Sequence, residues 1–236
     1  MAAVVFVPSP PILLPEVSAT PDPEVAILRE SCRVAVATLL AAGTVRVLGG
    51  LGVGGRPPGP AQESVIRHWP DDAPPGIDGY LGRPEAPDAL PLSLTIGRTL
   101  LQQADYRGGT ELLSVLGTGA DIRSACAARP LAVDAALLVV GDGCATRTEK
   151  SPGHLVAGSV ELDDRIAELL DTGDINGLTT LPDDIDSAFL VDGRAAWQCA
   201  AAMVANKNIV SSRLTEYMSP HGVAYFVAVW ELEGDE

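Results

Sequence analysis

Ala135-Ala136-Leu137-Leu138-Val139-Val140 is the stretch on which the fold turns. Six apolar residues in a row, two of them β-branched, suit a central strand covered on both faces. The run passes straight into Gly141-Asp142-Gly143-Cys144, so a polar loop opens at its carboxyl end. Working outward, Ala2 to Val7 is a second buried strand, ended by Pro8. Val45 to Leu48 is a third. Between them Asp22-Pro23 starts a helix, proline being suited to the first turn. Val25, Leu28, Cys32, Val36 and Leu39 recur at helical steps up to Leu40, and Gly43 closes the segment.

Ser93 is expected to cap a helix over 94–104. Glu111 to Leu116 reads as a strand, and Gly119 to Ala128 as a helix. Further helices are expected over Leu162 to Leu170 and Gly193 to Ala205. Ile209 to Tyr217 and Val223 to Trp230 read as closing strands, joined as a hairpin through Ser219-Pro220-His221-Gly222. Residues 49–91, rich in Gly and Pro, read as a long loop with a short helix around Gln62 to Trp69. Strands alternating with helices, with no internal repeat or linker, predict one α/β domain over 1–236: a mixed central sheet flanked by helices.

The chain has 236 residues, of which 47% are apolar and only 4% aromatic, so its core is built from Ala, Val and Leu. The net charge of −15 makes nucleic acid and anionic membranes poor partners. No apolar segment reaches the roughly 18 residues of a membrane span. The amino-terminal residues lack a basic n-region and carry a very short apolar run, so no signal peptide is expected and a cytoplasmic location follows. The cysteines, Cys32, Cys126, Cys144 and Cys199, form no C-x-x-C pair, which argues against structural zinc, and a chain of this size has little need of disulfides.

Four stretches are candidate sites. Gly50-Leu51-Gly52-Val53-Gly54-Gly55 fits a dinucleotide fingerprint, but Arg56-Pro57-Pro58-Gly59-Pro60 prevents the helix that a pyrophosphate needs, so a flexible loop is expected. The three histidines, His68, His154 and His221, are not paired at metal-ligand spacing, and no metal site is expected from them. Cys144 with His154 would make a thiol nucleophile, against the commoner reading of a buried inert cysteine. The loop from Gly141 to Gly153 is the strongest candidate, because ligands of open α/β sheets sit at strand carboxyl ends. There Asp142, Arg147, Glu149 and Lys150 bring both charge signs together; Glu149 and Lys150 would pair, or one would act on a proton. Ser9, after the first strand, opens into the same cleft.

Four segments together resemble a known family: Val7 to Glu16, Pro91 to Gly97, Gly141 to Gly153, and Gly222 to Ala228. Their order and spacing resemble the class III extradiol ring-cleavage dioxygenase (LigB-like) superfamily, and most of all its small, alanine-rich actinobacterial members of unknown function. The resemblance implies a single α/β domain with a mixed sheet and an edge site where active members hold non-haem Fe(II) and cleave catechols with O₂. It also implies histidines after the first strand, after the second strand and after the Gly-Asp stretch. This chain has Ser9, the Gly49–Gly55 run and Ala145 at those places. A facial triad needs two imidazoles and a carboxylate.

The leading expectation is therefore a divergent member without metal or other cofactor. It would bind a small molecule in the cleft near residues 9 and 141–153, or do metal-free acid–base chemistry there. Ser9, Asp142, Arg147 and Thr148 would hold the ligand, with Arg147 and Lys150 able to meet one carboxylate. Glu149, Lys150 and His154 are the catalytic candidates. The alternative is an active Fe(II) oxygenase rearranged around His154 or His221 with Glu149 or Asp142. A third reading is a non-catalytic interaction module, perhaps a homodimer.

Overall fold

A computed structural model describes residues 2–18, 22–51, 65–83, 86 and 88–234. Seven strands form one mixed sheet in the order β3-β4-β2-β5-β1-β7-β6. Its centre is parallel: β1 (Ala3–Val7), β2 (Thr44–Gly49), β4 (Gly109–Val115) and β5 (Ala135–Val140) all point the same way. β3 (Ile66–Trp69) lies antiparallel against β4 at one edge. β7 (Tyr225–Leu232) and β6 (Ile209–Met218) form the antiparallel hairpin at the other.

β5 is buried at every position, as its unbroken apolarity demands. Period-2 alternation sends its residues to two cores. Ala136, Leu138 and Val140 face α1 (Pro23–Ala37) and α2 (Leu92–Gln103). Ala135, Leu137 and Val139 face α3 (Gly119–Ala127), α4 (Ser159–Thr172) and α7 (Arg194–Met203). Two short helices, α5 (Ile175–Thr179) and α6 (Ile185–Ala188), complete that second layer. The chain is thus a single α/β domain with a seven-stranded mixed sheet packed against helices.

Local chemistry accounts for the helix starts. Asp22 caps α1, its carboxylate accepting from the Val25 amide at 3.0 Å, with Pro23 in the first turn. Thr118 caps α3 in the same way.

The structure corrects several expectations. Ser93 does not cap α2. It lies inside the first turn, and its hydroxyl donates to the Gly50 carbonyl at 2.7 Å, tying the helix to the end of β2. Ile66 to Trp69 is an edge strand, not a helix, because the open side of β4 offers it a ladder; Gln62 to Ser64 lie outside the described residues. The fingerprint beyond Leu51 lies outside them as well.

The cysteine reading also changes. Cys126 on α3 and Cys199 on α7 form a disulfide across 73 residues, while Cys32 and Cys144 are free and buried. Spacing in the sequence gave no hint of this pair, because packing of two helices on one sheet face brings them together. Among the described residues no helix is long and apolar enough to cross a membrane.

Candidate functional site

The connection leaving β1 runs into α1 on one face of the sheet, and the connection leaving β5 runs into α4 on the other. β1 and β5 are hydrogen-bonded neighbours, so the chain leaves two adjacent strand ends toward opposite faces, and we call the place between those exits the crevice. Such a switch point is where open α/β sheets bind ligands. Ser9 follows β1 by two residues and Asp142 follows β5 by two.

They meet in that crevice. The Ser9 amide donates to Asp142 Oδ1 at 2.6 Å, and the Ser9 hydroxyl donates to Asp192 Oδ2 at 3.4 Å. Asp192 arrives on the turn before α7. That turn is fixed by the Gly193 amide, which donates to the Asp142 carbonyl at 2.9 Å. Gly50, at the end of β2, closes the other side. Its lack of a Cβ matters, since one there would fall 2.7 Å from the Asp192 carbonyl oxygen.

Asp142 is half-buried as a residue, and its carboxyl group is enclosed by protein. Burial is the main force on it and raises its pKa. The Ser9 amide opposes the shift and the neighbouring Asp192 charge adds to it, leaving Asp142 at about 7. A carboxyl poised there can give or take a proton near neutrality.

The rest of the 141–153 loop is held by a separate polar network. Asp163 of α4 is fully buried and accepts from the Cys144 amide at 2.9 Å and from Arg147 Nη1 at 3.1 Å. Arg147 also donates to the Tyr217 hydroxyl at 2.7 Å, and Tyr217 donates to Asp164 at 2.8 Å. Burial raises the Asp163 pKa in spite of these donors. Cys144 is fully buried beside Asp163, and burial pushes its thiol far above the range of a nucleophile.

Of the residues singled out in the sequence, the fold brings Ser9 and Asp142 together. Arg147 is engaged by Asp163 and Tyr217. Thr148 is exposed and bonded to Ser151. Glu149 and Lys150 are exposed and do not pair with each other. His154 is exposed with a positive φ of 57°, its Nδ1 lying 3.3 Å from the Glu149 carbonyl. Asp192 was missed. Its only local signal is an Asp-Gly pair after apolar Leu190-Val191, the same punctuation that follows β5.

The donors present do not suit a non-haem Fe(II) centre. The ends of β1, β2 and β5 supply a serine hydroxyl, glycine backbone and Asp142, with no imidazole. Among the described residues no group of three or more His, Cys, Asp and Glu side chains is arranged to hold a metal ion. The residues do not fit a facial triad.

Comparison with protein-family models finds no match, and comparison with curated proteins finds none.

Proposed function

We propose that the crevice at the carboxyl ends of β1, β2 and β5 binds a small molecule and exchanges a proton with it through Asp142, without a metal. One observation carries this reading: an enclosed carboxyl at a sheet switch point, held by the Ser9 amide, beside a second carboxyl, with its pKa near 7. In this reading Asp142 is the acid–base group, the Asp192 charge raises its hold on the proton, and Ser9, itself buried with its hydroxyl on Asp192, positions Asp142 through its amide.

The same geometry bears on the ligand class. Asp142 holding its proton meets a neutral ligand rather than an ion, and Arg147, the candidate to meet a carboxylate, is bonded to Asp163 and Tyr217. A neutral molecule bearing hydroxyl groups, such as a phenol or a diol, suits the crevice better. This agrees with descent from the extradiol dioxygenase superfamily, whose substrates are catechols; membership remains part of the proposal and rests on the four quoted segments and the α/β architecture. A cytoplasmic setting belongs to it too, although the Cys126–Cys199 disulfide weighs against one, because cytosolic thiols are kept reduced.

The test is a thermal-shift titration at pH 6 with catechol and benzoate, on the wild-type chain and on Asp142→Asn. Catechol should raise the melting temperature of the wild type only, and benzoate should leave both unchanged. An equal shift in both proteins, or no shift by catechol, would sink the reading.

A further inference from the structure

We propose that the Cys126–Cys199 disulfide is a redox-set staple between α3 and α7: its reduction loosens α7 and frees the Asp192–Gly193 turn from the end of β5. The proposal does not depend on what the crevice binds.

The covalent link joins the middle of α7 to the end of α3. α7 begins at Arg194, directly after the turn that carries Asp192. That turn sits against the end of β5 at backbone contact, since a Cβ on Gly141 would run into Gly193 Cα. Movement of α7 therefore reaches Asp192 within two residues. The 73-residue span closed by the disulfide also contains Asp142 and Asp163, so both carboxyl clusters lie inside one covalent loop.

Neither helix is long enough to hold by itself: α3 has nine residues and α7 ten, and isolated helices of that length are marginal. Both sulfurs are fully buried, so a reductant reaches them only when α3 lifts from the sheet. Reduction by a dithiol such as dithiothreitol transfers two electrons and two protons. The S–S bond breaks, Cys126 and Cys199 become thiols, and the reductant closes into its own cyclic disulfide. Nothing covalent then holds α3 to α7.

Hydrogen exchange on the ligand-free protein tests this, with the wild type oxidised or dithiothreitol-reduced and with the C126A/C199A double variant. Thiol titration of denatured, unreduced protein should give two groups, Cys32 and Cys144, and four after reduction. Reduction should lower the melting temperature by about 10 °C and speed exchange of the 193–203 amides about tenfold more than that of the β1 and β5 amides, which report global unfolding. The double variant should match the reduced protein; if it does not fold, the reduced wild type still decides. Four thiols in unreduced protein, or exchange over 193–203 that speeds no more than that of β1 and β5 after reduction, would overturn the proposal. A protein that binds no catechol yet shows these changes would leave it standing.

Discussion

The Ser9 amide and Asp142 Oδ1 lie 2.6 Å apart across 133 residues, joining the exits of two neighbouring parallel strands. That bond holds in place a carboxyl whose pKa rises from the usual 3.8 to about 7, chiefly through burial. The sign of the stability effect follows. Between pH 4 and 7 the folded chain holds a proton on Asp142 that the unfolded chain has released, so stability from this group falls as pH rises and is fully lost above about 7. Asp142→Asn keeps an oxygen for the Ser9 amide and cannot ionise. The variant should be more stable than wild type at pH 8 by about 1–3 kcal/mol and close to it at pH 4.5. Urea unfolding at the two pH values checks this; a variant less stable at both would count against a buried, proton-holding Asp142.

Arg147 is predicted to matter for folding more than for ligand. Its partner Asp163 has no exposed surface, and removing one member of a buried pair leaves the other uncompensated. Arg147→Ala should cost about 3 kcal/mol. Arg147→Lys should recover only part of that: one nitrogen, Nη1, meets both Asp163 and Tyr217, and an ammonium can replace it there, but the planar guanidinium lying 5.4 Å from the centre of the Tyr217 ring is lost. Denaturant midpoints of the two variants, with catechol shifts measured on the folded fraction, separate the roles.

The parts of the fold that were legible were those with local causes. β5 was readable residue for residue because six apolar positions cannot sit anywhere but inside. The start of α1 was readable from Asp22-Pro23, and the β6–β7 hairpin from Ser219-Pro220-His221-Gly222. β3 was not, because Ile66 to Trp69 carries no strand pattern of its own and is made a strand by the free edge of β4. The site divides in the same way. Ser9 and Asp142 each follow an apolar run and drew notice separately. Asp192 did not, since its value comes from a turn packed against the end of β5, far earlier in the chain. The charged residues Glu149 and Lys150 attracted attention by type, whereas the structure leaves them in solvent. Cys126 and Cys199 likewise meet only through helix packing.

Replacing Glu149 and Lys150 together by alanine should change stability by less than about 0.5 kcal/mol, as expected for exposed side chains without partners among the described residues. Under the Asp142-centred reading the catechol shift should also survive. Its loss in a variant with unchanged unfolding would move the site outward to the loop tip, and calorimetric titration alongside the melt distinguishes the two.

Gly141 is predicted to be intolerant of even one methyl group. A Cβ there would run into Gly193 Cα, and backbone yields less readily than a flexible side chain. Gly141→Ala should cost about 3 kcal/mol, at the upper end for overpacking, while Gly234→Ala, with nothing within 4 Å, should be neutral. The clash also carries a chemical consequence. Pushing the 192–193 turn outward takes the Asp192 charge from Asp142 and admits water, and both changes draw the Asp142 pKa down from about 7 toward an ordinary carboxyl. Carbon-detected NMR titration of the aspartate side chains in the folded variant would read this directly. An Asp142 that still titrates near 7 in Gly141→Ala would mean that the turn before α7 does not set its proton affinity.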